Sequence, residues 1–219
     1  MLAFGCAVFT TIDVVRRPQP MGVMNVVWPL TMLFGSVVWL AFYLRRGRAS
    51  DGPEPGGDKH GMAASVAVGA SHCGAGCTVG DLVGEFALAF VPGLAVVFGA
   101  SWLFTDQMFA GWVLDFVLAY LIGVAFQYYA IVPARHLGFR RGLWQAVKAD
   151  TFSIVSWQIG MYTVMAIAQL ALLPAVFGSR AQVLTPEFWF VMQIAMIAGF
   201  ATSYPVNWLL IRRRVKELM

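Results

Sequence analysis

The feature that most constrains this chain is a succession of apolar runs, most of them long enough to cross the hydrocarbon core of a bilayer, which takes roughly 20 helical residues. Lipid offers no water to a free backbone N–H or C=O, so such runs fold as helices or as strands of a closed barrel. Alternating ten-residue strands are absent, which leaves helices. Charged residues are only 12% of the chain and hydrophobic ones 59%, whereas soluble domains carry roughly 25% charged residues. The sequence therefore predicts an all-α fold: a polytopic transmembrane helical bundle of five full spans plus a short N-terminal apolar helix, built as a single integral membrane domain over 1–219.

Residues 1–15 are a short apolar run that fits the tail of a longer helix, and Pro18 and Pro20 end it. The second run, 21–44, holds Pro29, where a kink is expected, and ends in Arg45 and Arg46. Residues 46–70 are rich in Gly, Pro, Ser and Asp and read as a flexible solvated linker. Thr78-Val79-Gly80-Asp81 has the form of a helix-starting capping box, which places the third span at about 78–104 with a kink at Pro92. The fourth span is about 109–132, stopped by Pro133. Residues 134–149 are basic and amphipathic and are expected at the membrane interface. The fifth span is about 150–177. Thr185-Pro186 starts the sixth, which runs through Pro205 to about Ile211.

Basic residues predict orientation. If the ends of spans two, four and six share a side, that side carries twelve lysines and arginines, and the other carries Arg16, Arg17 and Arg180. The positive-inside rule then puts the linker, the cysteine motif and the C-terminus in the cytoplasm. The net charge of +4 is spent on topology and implies no nucleic-acid partner. The lipid bilayer is the expected surrounding. A second copy or another membrane protein is left open as a partner.

The chemistry concentrates in Ser71-His72-Cys73-Gly74-Ala75-Gly76-Cys77-Thr78, followed by Asp81 and Glu85. Cys73, Cys77, Asp81 and Glu85 are spaced by four, which would make one stripe on a continuous helix. Gly74 and Gly76 argue instead for a tight loop folded onto a helix N-terminus, where a thiol is readily ionised. Thiolate and imidazole are ligands for copper(I) or zinc(II). His72, Cys73 and Cys77 are the candidate metal ligands, with Asp81, Glu85 and the intramembrane Asp115 as an ion path or proton-coupling groups. Met161 and Met165 in the fifth span, and Met192 and Met196 in the sixth, are at helical spacing. They are secondary soft ligands, or else they fill gaps between helices. Tyr204-Pro205 should free a backbone carbonyl for Asn207, a water or an ion. No phosphate-binding loop or dinucleotide fingerprint occurs, so no nucleotide cofactor is expected.

The chain resembles the bacterial and archaeal membrane proteins grouped as domain of unknown function 4396. The residues that carry the likeness are Met24-Asn25-Val26-Val27-Trp28-Pro29-Leu30-Thr31, the Ser71–Thr78 motif with Gly80-Asp81 and Gly84-Glu85, Phe126–Ile131, Lys148–Thr151, Gly160-Met161-Tyr162, Phe188–Met196 and Thr202–Trp208. The resemblance implies a polytopic helical membrane protein and no settled activity.

The residues themselves support binding or translocation of a soft metal ion, copper first, through a cytoplasmic His-Cys-x-x-x-Cys site. The alternatives are a membrane redox protein that uses the thiols or a bound metal centre, and a non-catalytic assembly or scaffold subunit. Enzyme chemistry belongs to the first alternative alone.

Overall fold

The structure is a computed structural model that describes residues 1–49, 61–213, 215 and 216. Its helices are α1 (Leu2–Arg16), α2 (Met24–Phe42), α3 (Met62–Phe90), α4 (Leu94–Val97), α5 (Gln107–Arg135), α6 (Phe139–Ile167), α7 (Leu173–Phe177) and α8 (Pro186–Arg212). π-helical turns at Tyr43–Gly47 and Ala168–Leu172 extend α2 and join α6 to α7. Among the described residues there is no strand, and five helical stretches are long and apolar enough to cross a membrane: Met24–Gly47, Met62–Phe90, Gln107–Pro133, Phe139–Phe177 and Pro186–Arg212. The all-α transmembrane reading holds, and Leu2–Arg16 is the short N-terminal helix.

Several boundaries differ from those read in the sequence, and the reason is mostly one. In lipid an unsatisfied backbone group costs several kcal/mol, while a glycine in a helix costs only about 1 kcal/mol, so helices continue through residues that would end them in water. Helix α3 begins at Met62, with Gly61 as its N-cap, and runs unbroken through Gly69, Gly74, Gly76, Gly80 and Gly84. The cysteine motif is thus mid-helix rather than a loop at the cytoplasmic mouth. Met62–Ala70 are helical rather than linker, and 50–60 lie outside the described residues. Thr78 caps nothing: its hydroxyl donates to Gly74 O at 2.7 Å, a back-bond inside the helix. Pro92 ends the span instead of kinking it, because it drives Val91 out of helical geometry (φ −131°, ψ 73°). At the other proline the helix runs on through Pro133 to Arg135. Phe139–Ala149 are not a separate interfacial helix but the first turns of α6.

Helix α2 takes an unexpected path. It stays helical at Pro29 and breaks at Ser36 (φ 47°, ψ −133°). Trp28 meets Tyr43, with ring centroids 5.3 Å apart, and Phe42 at 5.9 Å. Fifteen residues of straight helix would separate Trp28 from Tyr43 by about 22 Å. The chain therefore folds back at Ser36 into a helical hairpin, and both of its ends lie on the same side of the bundle. At that end Asp13 of α1 accepts hydrogen bonds from Tyr43 Oη (2.7 Å) and from Arg48 Nε (2.9 Å) and Nη2 (2.5 Å). The Arg48 guanidinium holds the Asp13 carboxyl below the usual carboxylate range, against the smaller upward push of burial. Arg16 and Arg17 thus share a side with Arg45 and Arg48, not the side of Arg180.

The hairpin tip reaches the middle of the bundle. Leu33 O, freed near the break, accepts from Gln193 Nε2 of α8 at 2.7 Å. Phe34 packs edge-on against Trp157 of α6, and Trp39 against Phe200 of α8. Broken backbone at membrane depth is tolerated only when protein groups satisfy it, as Gln193 does here. Helix α3 packs along α5, and α6 along α8.

Candidate functional site

The α3–α5 contact explains Gly76, Gly80 and Gly84. A Cβ on Gly80 would lie 2.5 Å from the Ala119 amide nitrogen, and one on Gly76 would lie 2.9 Å from Gly123 Cα. Small residues let two backbones approach this closely. The same stripe makes room for two carboxyls. Asp115 of α5 lies directly against Gly84, and a Cβ on Gly123 would fall 2.5 Å from Asp150 Oδ2 of α6.

With the glycines turned to α5, Cys73, Cys77, Asp81 and Glu85 form the stripe that their spacing predicts, and all four are buried. One α-helical turn, about 5.4 Å of rise, separates each from the next. Asp81 has neither carboxyl oxygen hydrogen-bonded among the described residues. Cys73 and Cys77 share one buried cluster with Met161, Met165, Met192 and Met196. The four predicted thioethers therefore lie in the same buried core as the two thiols.

His72 is buried, and neither ring nitrogen has a partner among the described residues. One residue along a helix from Cys73, it points about 100° away. Among the described residues no three His, Cys, Asp or Glu side chains gather around a common point. His72, Cys73 and Cys77 are thus strung along and around the helix rather than assembled as one ligand set.

At the basic end the stripe runs into a polar network that the sequence reading missed. Cys73 Sγ donates to Asp150 Oδ1 at 2.9 Å and lies 2.7 Å from Ser153 Oγ. Asn207 Nδ2 donates to Ser153 Oγ at 2.6 Å and to Ser203 O at 3.0 Å. Lys216 Nζ donates to Asn207 Oδ1 at 2.8 Å and Gly69 O at 2.9 Å, and approaches Cys73 Sγ at 3.6 Å. Asp150, Ser153, Asn207 and Lys216 are all buried. Only Asn207 was singled out in the sequence. Asp150, next to Lys148-Ala149, looks like the start of a span. Its signal was the pairing with Ser153, which puts two polar groups on one face one turn apart.

At the opposite end lies a cavity of about 410 Å³, lined by Glu85, Trp112, Met165, Gln169 and Arg180 among others. Arg180 bridges to Asp106 at 2.5 Å, and Gln169 holds the loop by exchanging hydrogen bonds with both backbone groups of Ala181. Asp106 also caps α5 through the Met108 amide at 3.1 Å. Partial burial raises the Asp106 carboxyl, but the Met108 amide and the Arg180 guanidinium outweigh it and hold the group below its ordinary value. From this cavity Glu85 leads to Asp81 and Asp115, then to Cys77, then to Cys73 and Asp150. Such a sequence of buried acids and thiols offers ligands to a cation.

No match was found among curated proteins or among solved structures. The family described as "Domain of unknown function (DUF4396)" matches residues 63–216, a range that takes in α3 through α8 and Lys216 and leaves out the α2 hairpin. The chain belongs to that family.

Proposed function

We propose that this protein carries a soft metal ion, copper(I) first, across a prokaryotic inner membrane along the stripe on α3. The carrying observation is the continuity of buried ligands from Glu85 at the cavity, through Asp81 and Cys77, to Cys73 beside Asp150. Intramembrane acids mark ion or proton paths, thiols and thioethers are the donors that soft metals take, and both kinds lie in this one file. Met161, Met165, Met192 and Met196, in the same buried core as the two thiols, are the additional soft donors. Asp81, Glu85 and Asp115 serve as the acids that couple the ion to protons. Orientation follows from charge. Of the fifteen lysines and arginines, Arg180 alone among the described residues stands at the cavity end, so the Cys73 end faces the cytoplasm.

The test is uptake of silver(I), a redox-inert stand-in for copper(I), into vesicles that carry the purified protein and an internal silver sensor. Vesicles with the unaltered chain should fill at least about tenfold faster than empty ones. Cys77→Ser and Asp81→Asn should each remove most of that difference, since each takes away a donor that the ion meets mid-membrane, and about 1.4 kcal/mol of barrier is already a factor of ten. Equal rates in protein-bearing and empty vesicles, or unchanged uptake in both variants, would sink the reading.

A further inference from the structure

Lys216 is the one ammonium buried among the described residues, with 2% of its surface exposed. A charge held in such a place costs several kcal/mol unless its surroundings replace water. What surrounds it is a set of acceptors: a backbone carbonyl (Gly69), a side-chain amide oxygen (Asn207), the sulfur of Cys73 and, behind that sulfur, the Asp150 carboxylate. These are the atoms that strip the hydration shell from a metal cation.

The hydrogen bonds run in one direction. Lys216 donates to Asn207, and Asn207 donates to Ser153. Ser153 is left to donate to Cys73, whose S–H points at Asp150 Oδ1. Along this chain each donor leads toward the carboxylate, while Lys216 and Asn207 each give a second hydrogen bond to a backbone carbonyl, Gly69 O and Ser203 O. Asp150 Oδ2, fully buried, has no hydrogen-bond partner among the described residues and keeps a lone pair free for a ligand.

We propose that Cys73 Sγ, the Asp150 carboxylate, Asn207 Oδ1 and Gly69 O form a binding site for a soft monovalent cation, and that the Lys216 ammonium is its tethered occupant, displaced when the ion arrives. The proposal shares the ion with the transport reading and does not require transport. Ammonium and ion each carry one positive charge. As the ion binds, the Cys73 thiol proton passes to Asp150 Oδ1 and the metal pairs with the thiolate. The site is neutral both before (ammonium and carboxylate) and after (metal and thiolate), with the Asp150 Oδ2 lone pair still free to the ion. Lys216 follows the last residue of α8, Arg212, by four positions, so its side chain can leave without moving a span.

The experiment uses the full chain in detergent, silver(I) as the probe, and an amine-acylating reagent whose products are mapped by mass spectrometry. Without silver, Lys216 should react at least about tenfold more slowly than the exposed Lys148, as a protected group does. With one equivalent of silver bound, the two should react alike, and Cys73→Ser should abolish the change. Removing the internal competitor with Lys216→Leu should tighten silver binding by about tenfold or more in competition with a dithiol, the gain expected when a competent state is no longer masked. If Lys216→Leu does not fold, the acylation measurement on the unaltered chain decides alone. Silver retained while Lys216 stays protected, or silver not retained at all, overturns the proposal. Release of Lys216 by silver in a protein that fails the vesicle assay keeps this site and removes translocation. Uptake in that assay with Lys216 still protected does the reverse.

Discussion

The residues that shape the site most are those without side chains. Gly80 and Gly76 set how closely α3 approaches α5, and Gly84 and Gly123 leave the volume that Asp115 and Asp150 fill. At Gly80 the atoms in the way are Ala119 backbone, which cannot swing aside, so Gly80→Ala should push the two helices apart and destabilise the protein by roughly 1–3 kcal/mol, as overpacking does. Gly5 in α1 has nothing within 4 Å of a built Cβ, so Gly5→Ala should instead gain up to about 1 kcal/mol of helix propensity. Thermal melts of the two variants in detergent compare these effects. At this scale the sequence was half legible. The four-residue spacing of Cys73, Cys77, Asp81 and Glu85 was plain, and so was the polarity of Asp115. Gly74 and Gly76 do not make a loop because their reason lies in other helices, Gly74 against Trp157 and Phe34 and Gly76 against α5, which a local reading of α3 cannot supply. Lys216 counts among the charges of the basic side, and nothing in the sequence signals that Gly69, Cys73 and Asn207 also form a pocket for it.

Among the elements, α2 departs furthest from expectation. Its apolar run is continuous and proline-marked at 29, yet the chain turns at Ser36, where neither composition nor periodicity changes. What permits the turn is tertiary: Gln193 satisfies Leu33 O, and Trp157 and Phe200 cover the tip. The hairpin's open end is fastened by Asp13 to Tyr43 and Arg48. Because Arg48 holds the Asp13 carboxyl below its unfolded value, this fastening contributes fully above about pH 4, the ordinary carboxylate value, and is lost as pH falls through the lower folded value. Hydrogen exchange of the Tyr43–Gly47 turn should therefore quicken as the solution is acidified below about pH 4. In Asp13→Asn the turn should exchange fast already at neutral pH and show no further acid step. A clasp that is irrelevant to the hairpin would give the same exchange in both proteins at every pH.

For the molecule as a whole, the folded-back α2 changes which segments share a face of the membrane. The ends of α1 and α2, the start of α3, the α5–α6 turn and the end of α8 belong together, opposite the Arg180 loop. Reporter cysteines at Pro20 and Ala49 should then be labelled by a membrane-impermeant maleimide from one side, and one at Ser179 from the other. A straight α2 would place Pro20 with Ser179. The native thiols leave this assay clean, since Cys6, Cys73 and Cys77 are all buried. Composition alone gave the number of long apolar helices correctly, because length and hydropathy suffice for that. It could not give the course of α2, because a hairpin and a crossing consume the same apolar residues.

The buried ammonium of Lys216 has an electrical side. Gly69, which holds it, stands about 10 Å along α3 from Met62, at 1.5 Å of rise per residue. If Met62 marks the membrane surface, the charge lies within the drop of the membrane voltage, where a full crossing is worth about 2.3 kcal/mol per 100 mV and a partial one a proportionate share. On the proposed orientation, with the basic end on the negative side, that voltage would pull the ammonium outward from its pocket, toward the face it would leave by. If Lys216 is the displaceable occupant proposed above, an energised membrane would loosen the tether and a discharged one would let it settle, so the same lysine would also register whether the cell is powered.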